Sequence, residues 1–210
     1  MLKTLEFENL KNMLLCAADD VIDNKSYLSE LDAVIGDGDH GTTISRAMEI
    51  LKESLGQGPE DDLKQLLKNI GWALLGVNGG ATGPLLGSLF KGLSDGMESG
   101  AEIDAAVLAK MFVSARDGVL KVSGASLGDK TMIDAFVPAV EAAQEDAGGD
   151  IVLMLERAGA AAVVGADATI EMTAKKGRAK NMADKSVGHK DAGAASMSLI
   201  FEGFEKGIKM

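Results

Sequence analysis

Apolar residues recur every three or four positions along most of this chain, and this spacing constrains its fold more than any other feature. Side chains at this spacing share one face of an α-helix, whereas a half-buried strand needs strict alternation, which is nowhere convincing here. The apolar stripes predict about eight amphipathic helices. They lie in residues 10–21, 44–55, 63–74, 86–97, 106–111, 133–140, 151–158 and 199–204.

The composition fits close-packed helices. Hydrophobic residues make up 46% of the sequence but aromatic residues only 4%, so Ala, Leu, Ile, Val and Met must build the core. Short glycine-rich connections such as residues 56–59 and 148–150 favour antiparallel neighbours. Since 210 residues is a normal length for one domain, we expect a single all-α domain spanning residues 1–210.

The net charge limits the classes of partner, and the cysteine content indicates the redox compartment. A net charge of −11 opposes binding to nucleic acid or to anionic lipid. Cys16 is the only cysteine, and we interpret it as a core residue in a reducing compartment. Residues 1–8 carry three charged residues and lack the apolar core of a signal peptide, and no run of about 18 apolar residues is found. We expect a cytoplasmic protein that needs cations to bind a polyanionic ligand, with neither nucleic acid nor membrane as a partner.

Aspartates alternate with glycines in residues 31–41, between two predicted helices. Asp37 and Asp39 point the same way in an extended segment, and Asp32 lies five residues before Asp37. Three carboxylates packed together repel one another unless a cation lies among them, and oxygen ligands suit Mg²⁺ or Ca²⁺. These residues therefore predict a divalent metal site, with a solvated acidic turn as the alternative.

Two other motifs fit this segment less well. Gly36, Gly38 and Gly41 match a dinucleotide-binding pattern, but no strand precedes them and the aspartates would repel pyrophosphate. A calcium-binding EF-hand loop starting at Asp37 would end in glutamate, where this chain has Met48. Charges of about −3 from the aspartates and about −3 from ADP are nearly balanced by two Mg²⁺. We therefore expect two Mg²⁺ beneath the phosphates of a nucleotide.

Two predicted helix starts carry groups that suit phosphate. Thr42 and Thr43 offer hydroxyls beside free backbone amides, although they serve equally well as helix caps. Residues 79–84 read Gly-Gly-Ala-Thr-Gly-Pro and begin another helix with proline in its first turn. We interpret this segment as a second phosphate cradle, with a plain helix start as the alternative.

The last two glycine-rich segments offer positive charge. Residues 128–131 resemble the end of a Walker A motif, but Gly124 is one residue too close, so we reject a P-loop. Lys130 is then either a phosphate contact or a solvated lysine. Arg178 could grip a phosphate bidentately, although such an arginine taken alone is more often a surface residue. His189 taken alone is more often a capping or packing residue.

Together, residues 36–41, 79–84, 128–135 and 188–194 resemble one family. They read GDGDHG, GGATGP, GDKTMIDA and GHKDAGA, in the order and at the separations typical of the L subunit of dihydroxyacetone kinase. The likeness covers essentially the whole chain. It implies a closed barrel of eight antiparallel helices with the nucleotide in the loops at one end.

The resemblance also implies roles for individual residues. Asp32, Asp37 and Asp39 would bind two Mg²⁺, and Arg178 would be the catalytic residue that neutralises charge on the transferring phosphoryl group. Met132 would lie near the base. The residues expected to border ADP or ATP are His40, Gly41, Thr42, Thr43, Ala81, Thr82, Ser123, Gly124, Met132, Arg178, Asp191, Ala192 and Gly193.

The family's activity is shared between chains. Its ketone is bound to a histidine of a separate K subunit, so neither His40 nor His189 should anchor it. The resemblance implies phosphoryl transfer from Mg²⁺-bound nucleotide to dihydroxyacetone on that subunit, in a homodimer or a heterotetramer with it. In the phosphoenolpyruvate-dependent bacterial type, a phosphotransferase-system protein rephosphorylates bound ADP, whereas ATP exchanges in others. The alternatives are a subunit of a tetrulose or fatty-acid kinase, or a nucleotide-dependent regulator of a transcription factor.

Some positions depart from the family pattern. Proline is usual at Ala192 and asparagine at Thr43, and the pattern also differs around residues 123–124. Residues 180–185 read Lys-Asn-Met-Ala-Asp-Lys instead of the usual Ser-Tyr-Leu-Gly-Glu-Arg. These departures leave the three aspartates intact.

Overall fold

A computed structural model describes residues 2–100 and 102–210, which are mostly helical. Within these ranges there are nine α-helices, two short 3-10 helices (Thr169–Glu171 and Ala179–Ser186) and one antiparallel pair of two-residue strands, β1 (Thr4–Leu5) and β2 (Ile103–Asp104). The predicted all-α class is confirmed. The helices are α1 (Phe7–Asp23), α2 (Lys25–Ile35), α3 (His40–Gln57), α4 (Leu63–Leu75), α5 (Thr82–Asp95), α6 (Ala105–Ser123), α7 (Ile133–Glu145), α8 (Ile151–Ala168) and α9 (Ala192–Ile208).

Each predicted apolar stripe falls on a different one of these helices, and only α2 has no counterpart in the prediction. Its buried residues are Leu28 and Ile35 alone, so it lacks the wide apolar stripe that marks the others. Asp32 therefore lies in the last turn of a helix and not in a loop. The metal-binding prediction thus rests on a helix end followed by a turn.

Eight helices pack in a cyclic order. Contacts join α1 to α3, then α4, α5, α6, α7, α8 and α9 in turn, and α9 packs against α1. α2 packs against α3 and α9 outside this cycle. One continuous hydrophobic core draws residues from all nine helices. That the helices enclose a barrel, and that residues 1–210 form one domain, stay predictions.

Glycines within the helices allow close approach between antiparallel neighbours. A Cβ added to Gly203 of α9 would lie 2.3 Å from the Cα of Ala17 in α1. One added to Gly207 would lie 2.4 Å from the carbonyl oxygen of Asn12. From Gly203 to Gly207 of α9, the contacted residue of α1 changes from Ala17 back to Asn12, so these two helices are antiparallel. The helix pair α5 and α6 meets in the same way.

Among the described residues, none of the helices combines the length and the apolar character needed to cross a membrane. Cys16 is only half-buried, and its Sγ lies 3.4 Å from the Sδ of Met210. The interpretation of Cys16 as a core residue is therefore wrong.

Candidate functional site

The four glycine-rich loops meet around a cavity of about 480 Å³. They are the connections from α2 to α3, α4 to α5, α6 to α7 and α8 to α9. Asp37 and Asp39 are exposed on its lining, whereas Ile44, Leu86 and Met197 are buried there. The cavity therefore has an acidic, solvent-exposed side and an apolar, buried side, which suits a ligand with one charged and one apolar end.

Three carboxylates come together on the exposed side. One oxygen from each of Asp32, Asp37 and Asp39 lies within 4.8 Å of the others. The backbone N–H of His40 donates to Oδ2 of Asp32 over 3.1 Å and orients that side chain. A Cβ at Gly36 would lie 2.1 Å from Oδ1 of Asp32, so this arrangement needs glycine at position 36.

This donor set fits a divalent cation. Like charges at these distances repel strongly, and the repulsion must be offset by positive charge. Arg178 contacts Asp37, and its Nη1 lies 3.4 Å from Oδ2 of Asp39. One guanidinium leaves about two negative charges uncompensated, and carboxylate oxygens are the ligands that Mg²⁺ prefers. The chemistry of these residues therefore matches the metal expected from the sequence.

Arg178 reaches the carboxylates from a distant part of the chain. It precedes the second 3-10 helix, in the long connection between α8 and α9, and is 139 positions away from Asp39. Its guanidinium is about half exposed and lies at the mouth of the cavity. A phosphate held beside the aspartates would lie within reach of this side chain.

Most residues predicted to border the nucleotide line the cavity, and their contact with a ligand stays a prediction. Those on the lining are His40, Ala81, Thr82, Ser123, Met132, Arg178, Asp191, Ala192 and Gly193, together with Asp32, Asp37 and Asp39. Gly41, Thr42, Thr43 and Gly124 lie off the lining.

Thr42 and Thr43 are not helix caps. α3 begins at His40, with Asp39 in the N-cap position, so both threonines lie inside the first turn. Thr43 is buried beneath Gly79, where an added Cβ would lie 2.4 Å from the Cγ2 of Thr43. The capping interpretation is therefore wrong. Thr43 supports the backbone of the neighbouring loop.

Gly41 and Gly124 have roles in backbone packing and backbone conformation. A Cβ at Gly41 would lie 2.1 Å from the carbonyl oxygen of Lys25, so glycine allows α3 to pack against α2. Gly124 ends α6 in the left-handed conformation with φ of 56°, which glycine adopts without steric cost. Each glycine shapes the loop that carries cavity-lining neighbours.

His40 joins two helices at the cavity wall. Its Nε2 lies 3.1 Å from the Oγ of Ser196 in α9. Burial lowers the pKa of His40, while the negative charge of Asp32 acts in the opposite direction. The contact with Ser196 makes the imidazole a hydrogen-bonding link between α3 and α9.

Lys130 is neither a solvated lysine nor free to bind phosphate, so both sequence interpretations are wrong. Its side chain is 1% exposed. Nζ donates to the carbonyl oxygens of Thr169 (2.7 Å), Met172 (3.1 Å), Ser186 (2.8 Å) and His189 (2.5 Å). An ammonium has three N–H groups, so these four acceptors leave none for a phosphate. Burial lowers the pKa of Lys130, opposed by the charges of Asp191 and Glu171.

Asp134 has a structural role that was not predicted from the sequence. This buried carboxylate accepts hydrogen bonds from the backbone N–H groups of Gly128 (2.5 Å) and Thr131 (2.7 Å). It holds the turn on which Lys130 lies. An aspartate three residues after a threonine at a predicted helix start is a signal that could have indicated this role.

Asp191 has a capping role on the lining of the cavity. Its Oδ1 accepts from the backbone N–H of Ala194 over 2.7 Å, at the start of α9. Burial raises the pKa of Asp191 to about 7, and the nearby charges of Asp134 and Asp32 also raise it. The hydrogen bond from Ala194 and the charge of Lys130 oppose that rise.

The fold and the site together define an α-helical domain with loops that fit a metal-bound anion. The chain belongs to the DAK2 domain family, whose family model matches residues 34–206. This confirms the resemblance to L subunits of dihydroxyacetone kinase.

Relatives match almost the whole chain. It is 34% identical over 201 residues to the ADP-binding subunit DhaL of the PEP-dependent dihydroxyacetone kinase of Escherichia coli K12, which covers 95% of this chain and 96% of the relative. It is 37% identical to the ADP-binding subunit of kinase 2 of Listeria innocua, with 88% of each chain covered.

Solved structures share the fold. The native dihydroxyacetone kinase of C. freundii matches with a TM-score of 0.77 and 25% identity, over 98% of this chain and 35% of that one. The same enzyme in complex with AMP-PNP and Mg²⁺ matches with a TM-score of 0.73. This chain thus corresponds to about a third of that longer protein.

Proposed function

We propose that this chain is the nucleotide-binding subunit of a phosphoenolpyruvate-dependent dihydroxyacetone kinase. One observation carries the proposal. Asp32, Asp37 and Asp39 converge beside Arg178 at the mouth of a cavity. They do so in a chain that matches an ADP-binding subunit over 96% of that relative's length.

The residues divide the work of binding and transfer. Asp32, Asp37 and Asp39 hold two Mg²⁺, which supply neutralisation of the phosphate charge when bound. Met132 and the apolar side of the cavity accept the base. Arg178 exchanges its contacts with the aspartates for the phosphoryl oxygens and offsets the charge that develops on them during transfer.

The acceptor and the phosphoryl source belong to other proteins. Dihydroxyacetone is held by a separate K subunit that docks over the exposed ends of Asp37, Asp39 and Arg178. A phosphotransferase-system protein rephosphorylates ADP, which stays bound as a coenzyme. The chain works in the cytoplasm, in a heterotetramer with the K subunit, and is inactive alone.

Calorimetry of ADP binding tests the metal site. We expect the wild type to bind ADP tightly only with Mg²⁺, and Asp37→Asn to lose about 100-fold in affinity because one ligand charge is removed. Asp61→Asn, an exposed carboxylate off the cavity lining, is the matched control and should bind like wild type. Equal affinity with and without Mg²⁺ would contradict the proposal.

Reconstitution tests the reaction. Dihydroxyacetone phosphate should form from phosphoenolpyruvate only when this chain, a K subunit and the phosphotransferase proteins are all present. Mass spectrometry of protein purified without added nucleotide should find ADP in a 1:1 ratio. Faster phosphorylation of erythrulose than of dihydroxyacetone would overturn the choice of ketone, and product formation without this chain would overturn its role.

A further inference from the structure

One buried ammonium binds both ends of the segment that carries Arg178. We name residues 173–185 the arginine segment. Nζ of Lys130 donates to the backbone on both sides of this segment: the carbonyls of Thr169 and Met172 lie before it, and those of Ser186 and His189 lie after it. The side chain thus fastens the two ends of the loop to one point.

The backbone of Lys130 is itself held in a costly conformation. Its φ is 61°, and Ala183, inside the arginine segment, is the only other non-glycine residue with positive φ in the described ranges. Such conformations persist when the surroundings enforce them, and they concentrate at functional sites. Asp134 provides the enforcement by binding the N–H groups of Gly128 and Thr131 on either side of Lys130.

Apolar packing contributes little to holding the arginine segment. Its buried alanines, Ala174 and Ala179, form a small cluster with Ile35 that is separate from the main core. Residues 175–178 and 180–185 are exposed. A cluster of only three side chains buries little apolar surface, so polar contacts must fix the arginine segment. The bonds from Lys130 to Thr169 and Ser186 are buried, as is the bond from the N–H of Ala174 to Oγ of Ser186. A buried ammonium is stable only if such bonds are satisfied.

We propose that Lys130 is a positioning residue for phosphoryl transfer: it holds the arginine segment closed so that Arg178 stays beside Asp37 and Asp39. The inference rests on the proposed function, since Arg178 acts on the phosphoryl group only under that function. Lys130 does not touch the nucleotide, because its donors are all bound to carbonyls. Its effect on the reaction passes through Arg178.

Hydrogen exchange tests whether Lys130 holds the arginine segment closed, and the experiment needs neither nucleotide nor a partner protein. Lys130→Met keeps the length of the side chain and removes its donors, and we expect amide exchange in the arginine segment to rise about tenfold or more. Lys180→Met is the matched control, because this lysine lies in the same segment but its side chain is exposed to solvent. It should change exchange less than about twofold.

Two results would overturn the proposal that Lys130 holds the arginine segment closed. One is unchanged exchange in the arginine segment of Lys130→Met. The other is an equal rise in α1 and α9, because Lys130 would then support the whole fold. If Lys130→Met does not fold, Lys130→Gln keeps one donor group and should show the same selective rise to a smaller degree. Uniform exchange in that variant would equally overturn the proposal.

A double-mutant cycle tests whether Lys130 acts through Arg178. In the reconstituted enzyme, Lys130→Met should lower kcat about tenfold with little change in KM for dihydroxyacetone. In the Arg178→Met background the same change should lower kcat less than about twofold, because the group that Lys130 positions is gone. An equal loss in both backgrounds would overturn the positioning role. If the wild type lacks Mg²⁺-dependent ADP binding, the proposed function is contradicted. The hydrogen-exchange result would still be valid in that case.

Discussion

The two sides of the candidate site are built differently. The aspartate turn, residues 36–39, is a short connection held by its neighbours in sequence: the N–H of Gly36 donates to the carbonyl of Asp32 over 2.6 Å. The arginine segment lies in a long connection and is held by Lys130, whose hydrogen bonds span 39 to 59 positions. Local contacts thus form the side that we propose binds metal, and long-range contacts form the side that we propose binds phosphate.

This difference teaches which side can vary. The aspartate turn keeps the full family pattern, whereas residues 180–185 in the arginine segment depart from it. A loop fastened at its two ends tolerates changes between them, because few of its side chains are packed. Substitutions in the aspartate turn should therefore cost more than substitutions in the arginine segment, except at Arg178 itself.

The largest effect is expected from Gly36→Ala in the aspartate turn. The new Cβ would displace the carboxylate of Asp32, so kcat/KM for dihydroxyacetone should fall about 1,000-fold through the lost metal site. Gly56→Ala in α3 is the control, because a Cβ there meets nothing within 4 Å. It should keep full activity and gain slightly in stability. Activity of Gly36→Ala within threefold of wild type would break the comparison, since the turn would then tolerate change.

A smaller effect is expected from Arg178→Met in the arginine segment. Removing the guanidinium should lower kcat about 100-fold because charge on the transferring phosphoryl group is no longer offset. Mg²⁺ alone should bind more tightly, since a competing cation has left Asp37 and Asp39. Steady-state kinetics and magnesium titration measure the two effects, and Lys180→Met, an exposed lysine in the same segment, should change neither. Weaker Mg²⁺ binding in Arg178→Met would show that the arginine supports the carboxylates instead of competing for them.

The same contrast explains how far the sequence could predict the molecule. Eight helices followed from apolar stripes because burial of one face imposes a helical period. α2 was missed because only Leu28 and Ile35 are buried along it. The carboxylate cluster followed from the spacing of Asp37 and Asp39, which local geometry brings together.

Lys130 could not be predicted in this way. Its partners are backbone carbonyls of Thr169, Met172, Ser186 and His189, and a carbonyl leaves no mark in the sequence. Nothing local distinguishes a lysine that binds four carbonyls from one that binds a phosphate. The resemblance to a family implied that Arg178 borders the nucleotide, but the residue that we propose positions it became visible only in three dimensions.

The smallest effect is expected at Asp191, which follows the arginine segment and caps α9. Burial raises its pKa to about 7, above the unfolded value of about 3.9, so the native state binds the extra proton between these values. Stability should therefore fall as pH rises from about 4 to 7. Asn caps a helix as well as Asp and does not ionise, so Asp191→Asn should raise Tm by about 2–4 °C at pH 8, in EDTA, and leave it unchanged near pH 4.

Asp150→Asn at the cap of α8 should do the opposite and lower Tm at neutral pH. Hydrogen bonds, chiefly from the N–H of Leu2, hold the pKa of Asp150 below its usual value. A lower Tm in both variants would mean that Asp191 is stabilised as a carboxylate, and that the arginine segment is closed by an ion pair with Lys130 in addition to the four carbonyls.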